Sequence, residues 1–286
     1  MPKTDTYVLS TMGKGWAVGK YLPNSDNSRS DVFSPHDGKN IPQIDQNYDY
    51  GVQASSAHRS FYDAKHDRQV LWGATGGPLC TKKQDWSGLM AFPRVVELDP
   101  EDSSRLVSFP LPELRNLWAN STSTASSFEV AAGAAHRLPS SFGGNQLDLH
   151  FNFSFNASAA AARTFGVRVL APPAANGGVN VTLSTKPGSS VGTLGGGAVA
   201  PAGPRSPASR TDFLITGGTI ELRILVDHAL VEIFAEGGRS TATAWLCAPS
   251  PAEDLGVEIF NAGPAALAVS SVVSHRIASV NRLPWE

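Results

Sequence analysis

Asp227 and His228 stand side by side inside the stretch Glu221-Leu-Arg-Ile-Leu-Val-Asp-His-Ala-Leu-Val-Glu-Ile-Phe-Ala-Glu-Gly-Gly-Arg239. A carboxylate beside an imidazole can orient the ring for proton transfer, which makes the pair a candidate acid–base unit. The same two residues also suit a tight turn, with the aspartate bonded to nearby backbone and the histidine packed beside it. No motif marks a serine or cysteine nucleophile nearby, so the turn is the favoured reading. Asp45, Asp49, Asp63, Asp67 and Asp85 are further carboxylates, all in the first third of the chain. Two of them meeting in space could in principle form an acid and nucleophile pair, but turns between strands are rich in aspartate for backbone reasons. Cys80 and Cys247 permit one disulfide without requiring it, and neither has metal-ligand spacing. No metal and no cofactor is expected.

The elements that must hold these residues read as strands. Ile220, Leu222, Ile224 and Val226 alternate with Glu221 and Arg223, the period-2 signature of a half-buried strand. After Asp227-His228 an apolar run resumes from Leu230 to Phe234. Gly237-Gly238 then turns the chain into Ser240–Trp245, which makes a meander of three strands. Gln146 to Phe155 alternates cleanly, with Leu147, Leu149, Phe151, Phe153 and Phe155 on one face. Thr164–Leu170, Asn180–Leu183 and Gly256–Phe260 supply more strands, a pattern that favours a β-sandwich. Upstream, strands are expected around Tyr7-Val-Leu, Trp16-Ala-Val, Phe61-Tyr, Gln69–Trp72 and Leu89–Leu98. Short strands with glycine and aromatic residues at their ends resemble propeller blades, and this much chain makes about two of them. Two blades cannot close a ring and leave open edges, through which self-association is expected. Pro110 and Pro112 mark a linker beginning at Leu106, with a short helical turn over Glu113–Leu117. Lys186–Arg210 is rich in glycine, proline, serine and alanine and reads as a flexible surface insertion.

The division expected is therefore 1–105 as a partial propeller, 106–125 as linker and 126–286 as a β-sandwich. The chain has 286 residues and a net charge of −2, and no Lys/Arg run exceeds two residues. Those features argue against nucleic acid and membrane as partners. No apolar run approaches the roughly 20 residues of a membrane span. Asn120, Asn152, Asn156 and Asn180 begin Asn-x-Ser/Thr sequons and suit a secreted glycoprotein. No basic-then-apolar signal peptide follows Met1. A chain that lacks its natural N-terminus reconciles the two.

The hairpin around Asp227-His228 resembles one in the C-terminal sandwich of glycoside hydrolase family 32, the invertases, β-fructofuranosidases and fructosyltransferases. Five further stretches match that family in its own order. Tyr48-Asp-Tyr-Gly51 resembles its YDYG or DFG element, and Ala54-Ser55 with Ser60-Phe-Tyr-Asp63 its ASKTFxD strand. Arg68-Gln-Val-Leu-Trp-Gly73 resembles RRxLWGW, and Asp85-Trp-Ser-Gly-Leu-Met-Ala-Phe-Pro-Arg94 resembles GWAGxxxxPR. Leu106-Val-Ser-Phe-Pro-Leu-Pro-Glu113 resembles the LxQxPxxE linker. The resemblance implies an all-β fold: the last blades of a five-bladed β-propeller followed by a C-terminal β-sandwich.

It also implies a parent glycosidase that acts on sucrose or fructan by a retaining mechanism and is secreted, in the cell wall or the vacuole. By the same resemblance Asp49, Tyr50, Gln53 and Trp86 are candidate substrate-binding residues. Gln53 departs from the family, which places an aromatic there, and the longer Ala-to-Phe spacing suggests an insertion around Ser56–Arg59. The family's nucleophile, transition-state stabiliser and acid/base lie in N-D-P-N-G-like, R-D-P and E-C motifs. None occurs in this sequence, so no catalytic residue is expected in it. The fragment is expected to be inactive alone; the alternative is a carbohydrate-binding or protein-interaction module derived from the family.

Overall fold

The computed structural model describes residues 6–11, 15–24, 30–38, 46–49, 56–76, 87–156, 161–173, 177–198, 212–246 and 255–278. Four antiparallel sheets account for them. The first is a meander of β1 (Tyr7–Thr11), β2 (Gly15–Leu22) and β3 (Val32–Pro35). The second contains β4 (Ser56–Asp63), β5 (Arg68–Thr75), β6 (Leu89–Met90), β7 (Arg94–Asp99) and β8 (Asp102–Pro110). Its order is β4-β5-β7-β8, with β6 beside the end of β5. Trp16, Val18, Tyr48, Leu71 and Leu106 form the apolar cluster that these two blade sheets share.

The other two sheets make the sandwich. One runs β10 (Phe128–Val130), β21 (Leu267–Ile277), β12 (Gln146–Ser154), β17 (Thr219–Asp227), β18 (Leu230–Ala235), β19 (Ser240–Trp245). Strand β9 (Trp118–Ala125) pairs with the far end of β21. The facing sheet runs β11 (Ala135–Arg137), β20 (Gly256–Asn261), β13 (Arg163–Ala171), β14 (Val179–Thr185), β15 (Val191–Ala198), β16 (Asp212–Leu214). Leu147, Leu149, Phe151 and Phe153 all point into the space between them, as their alternation requires, and Phe153 packs on Phe165 with ring centroids 5.0 Å apart. Each such side chain contributes roughly 1.5–3 kcal/mol by leaving water, so this core dominates the stability of the molecule.

Three expectations need correction. Leu106–Pro110 is not linker but the second half of β8, with Leu106 opposite Leu98 and Pro110 opposite Arg94. Pro110 is tolerated there as the last residue of an edge strand. The irregular connection shrinks to a 3-10 turn at Pro112–Leu117, and the sandwich begins at Trp118, within the stretch assigned to the linker. Lys186–Arg210 is not wholly a surface insertion: Val191–Ala198 is strand β15, hydrogen-bonded to both β14 and β16. Its glycines hid it by supplying no side-chain alternation. One of them is required, since a Cβ on Gly192 would lie 2.4 Å from the ring of Phe213. Finally, Leu89–Leu98 is two strands, because Pro93 interrupts the run and its carbonyl accepts the Leu111 N–H instead.

Candidate functional site

Arg94 opens β7 and points across into the sandwich, where it is 2% exposed. Its Nη2 donates to Glu232 Oε2 at 2.6 Å and to Asp49 Oδ2 at 3.0 Å, and Nη1 donates to the Tyr48 carbonyl at 3.1 Å. The guanidinium carbon lies 5.0 Å from the Phe234 ring centre. Glu232, on β18, also accepts the Phe92 N–H at 2.6 Å. Asp49 accepts the Thr243 N–H at 2.8 Å and the Thr243 hydroxyl at 2.5 Å, while the Thr241 hydroxyl donates to the Tyr48 carbonyl at 2.7 Å. Both carboxylates are 0% exposed. Burial, with the charge of Asp49 added, pushes the Glu232 carboxyl above its ordinary value despite Arg94. A buried cation between two carboxylates is costly to desolvate, and its hydrogen bonds must be complete for it to persist.

A second tie runs parallel to the first. Arg239 holds Asp99 through two bonds of 2.9 and 3.0 Å. Next to it, Gly238 approaches β8 so closely that a Cβ would sit 2.1 Å from the Ser108 carbonyl oxygen, and its φ is +90°. Only glycine fits both conditions. Between the ties lies a cavity of about 20 Å³, lined by Trp16, Tyr48, Ser108, Gly238 and Thr241 among others. Sugar-sized ligands need roughly 300 Å³ or more, so this space suits a single water. The buried Ser108 Oγ has no protein hydrogen-bond partner.

The stretch Ser56–Arg59, where an insertion was expected, contains a β-bulge. Ser56 pairs with Ala74 and Arg59 with Trp72, so Ala57 and His58 oppose one residue. Ala57 takes a left-handed φ of 52°. The bulge turns His58 toward the Tyr48 ring, 5.0 Å away between centroids. Burial, reinforced by the Arg94 charge, lowers its imidazole to about 4.

The candidate residues divide sharply. Asp49 is the Arg94 partner just described, with both oxygens engaged and no exposed surface for a sugar. Tyr50, Gln53 and Trp86 lie outside the described residues, as do Asp45, Asp85, Cys80 and Cys247. Asp63 is bound to His66 and Arg68, and Asp67 to the Tyr62 hydroxyl. Asp227 and His228 occupy the β17–β18 hairpin, 2.8 Å apart and both exposed, with His228 at φ 54°. They are a turn pair. Asn120 and Asn156 are exposed; Asn152 and Asn180 are half-buried in strands.

One polar centre lay outside the sequence reading. Asp148, on the outer face of β12, is 0% exposed. It accepts two bonds from Arg223 at 2.9 and 2.7 Å and one from Trp118 Nε1 at 2.9 Å, and His150 Nε2 lies 3.0 Å away. Burial alone would raise its carboxyl, but His150 and Arg223 hold it well below the usual range. The Trp118 ring stacks on His275 at 3.6 Å. This centre pins β9, the first strand after the linker, onto the sandwich. Among the described residues no cluster of His, Cys, Asp and Glu is arranged to hold a metal ion. Arg94 and Glu232 were also missed as partners. Glu232 gave one signal, a charge embedded in the apolar run Leu230–Phe234.

Residues 113–278 match the family model described as glycosyl hydrolases family 32 C terminal. The chain is 28% identical over 312 residues to a sucrose:sucrose 1-fructosyltransferase of Festuca arundinacea, covering 93% of this chain and 44% of the relative. It is 30% identical over 275 residues to the vacuolar acid β-fructofuranosidase 2 of a Rosa hybrid cultivar, covering 84% and 40%. Among solved structures, fructan 1-exohydrolase IIa from Cichorium intybus superposes with a TM-score of 0.68 at 19% identity, covering 93% of this chain and 55% of that one. A fructosyltransferase from A. japonicus gives 0.66 at 18% identity, covering 98% and 54%. The chain thus spans less than half the length of these two sequence relatives, and about half of the solved structures.

Proposed function

The chain belongs to glycoside hydrolase family 32, and on that premise we propose that it is the C-terminal part of a β-fructofuranosidase-type enzyme and is inactive alone. The parent cleaves sucrose or a fructan, or transfers its fructosyl group, by double displacement. That mechanism needs a nucleophile and an acid/base carboxyl roughly 5–5.5 Å apart. Two described carboxylate pairs share an arginine: Asp49 and Glu232 are buried around Arg94, where neither can reach a substrate, and Asp63 and Glu113 are both held by Arg68. The catalytic pair belongs to the part of the relatives that this chain does not span. This chain's role is to supply the last blades and to brace them against the sandwich.

The observation that carries the reading is where the exposed apolar surface lies. Tyr7, Tyr21, Leu22, Val32, Phe61 and Met90 are each between 42% and 61% exposed, and all are on the blade sheets. Upstream blades would cover such a surface; in the isolated chain it favours self-association. The rose relative's name includes the vacuole; we assign the parent to the vacuole or another secretory destination. Purified 1–286 incubated with sucrose is expected to release no fructose above a blank. Robust hydrolysis would overturn the claim that its chemistry lies elsewhere. An immunoblot of the native gene product separates the enzyme part from a free-standing binding module: a band about twice 30.2 kDa supports the former, a band near 30.2 kDa the latter.

A further inference from the structure

The fold places three of the four sequons in unlike surroundings. Asn120-Ser121-Thr122 lies on β9, and all three residues are exposed. Among the described residues β9 pairs only with β21, so its other edge is open. Asn152 is in β12, flanked on both sides by β17 and β21, and its Nδ2 donates to Ser271 Oγ at 3.1 Å. The next residue, Phe153, is wholly buried, and the hydroxyl of Ser154 is bonded to Ser270 at 2.8 Å. Asn180 is in β14 between β13 and β15, where its Oδ1 accepts from Arg168 Nε at 2.9 Å. That arginine also holds Glu258 at 3.0 Å.

We propose that Asn120 carries an N-linked glycan, and that Asn152 and Asn180 do not in the folded protein. The donor is an oligosaccharide linked to a lipid pyrophosphate. The Asn120 Nδ2 forms a bond to the anomeric carbon of the sugar and gives up one proton to a base. The bond from that carbon to the pyrophosphate oxygen breaks, and the lipid pyrophosphate leaves with the electron pair. No redox change occurs. A sugar on Asn120 projects from an open edge into solvent and displaces nothing. On Asn152 or Asn180 it would sit over a central strand and lift the Ser271 or Arg168 contact from the sheet. Chains so modified are lost to misfolding. The Asn120 glycan also has a physical use, since a bulky hydrated group beside an unpaired strand blocks another chain from adding to it. This inference rests on the secretory destination proposed above and not on the proposed catalytic role of the parent.

The test is to express the full chain behind a cleavable secretion leader in eukaryotic cells and isolate the soluble monomeric fraction. Glycans are then released with an amidase in heavy-oxygen water, which marks each formerly modified asparagine. Trypsin cuts after Arg115 and Arg137, which isolates Asn120 as the sole sequon of its peptide. Asn152 falls in the peptide that starts at Leu138, and Asn180 in the one that starts at Val169. The expected result is a mark on Asn120 in most molecules, with Asn152 and Asn180 unmarked. The Asn120→Gln chain should lose the mobility shift due to that glycan. An unmarked Asn120 in chains whose leader has been removed would overturn the proposal. So would marks on Asn152 or Asn180 in the monomeric fraction at the level seen for Asn120.

Discussion

The sandwich and the blade sheets are both antiparallel β-structure, yet they bury their apolar faces to very different extents. In the sandwich each sheet is the other's cover, and Leu149, Phe151, Val167, Val181, Leu222 and Ile224 are each 0% exposed. The blade sheets share a small cluster around Trp16 and Leu71 and leave Phe61 53% and Met90 61% exposed. The lesson is one of closure. A sandwich closes with two layers, whereas a propeller blade finds its second neighbour only when the ring is complete. What holds the incomplete part here is a polar seam on the sandwich, so the blade region borrows its stability across the Arg94 and Gly238 contacts.

Removing the seam should separate the two regions. Arg94→Met leaves Asp49 and Glu232 buried without their cation, a loss of about 3–5 kcal/mol for a broken buried pair. Urea unfolding followed by tryptophan fluorescence is expected to show two transitions in place of one, the blade sheets first. A single unshifted transition would mean that the seam does not couple them. The second effect is smaller and purely steric. Gly238→Ala places a methyl against the Ser108 carbonyl at a positive φ, at a cost of about 1–3 kcal/mol. Its signature is faster amide exchange in β8, with the interior of β12 unchanged.

The third effect is a change of slope with pH. His58 has its imidazole lowered to about 4 from an ordinary value of 6.5. Between those values the unfolded chain binds the proton and the folded one does not, so acidification through this window withdraws stability. Glu232 acts with the opposite sign: its raised carboxyl takes up a proton more readily when folded, so acid relieves the burial of its charge. His58→Phe should therefore flatten the loss of stability between 6.5 and about 4, read as urea midpoints across that range. An unchanged slope would show that His58 is not buried as a neutral ring.

The alternating residues of β12 and the β17–β18–β19 meander determined the sandwich from the sequence alone, because a buried face imposes its period on the chain. The turn at Asp227-His228 was equally legible: Asp227 ends β17 opposite Leu230, and a loop of only two residues, His228 and Ala229, leaves few conformations. Glycine-rich β15 was not, because a strand without side chains writes no period; its place depends on β14 and on the ring of Phe213. Sequence resemblance suggested Asp49 beside a sugar, whereas the fold pairs it with Arg94, 45 residues away, and with Thr243, 194 away. Asp148 likewise reads as one polar step in an alternating strand until Arg223 and Trp118 arrive from elsewhere in the chain to bury it. Local period and turn chemistry are properties of neighbouring residues. The pairing of buried charges is decided only when distant strands meet, because desolvation makes each charge depend on whatever the fold brings within hydrogen-bond reach.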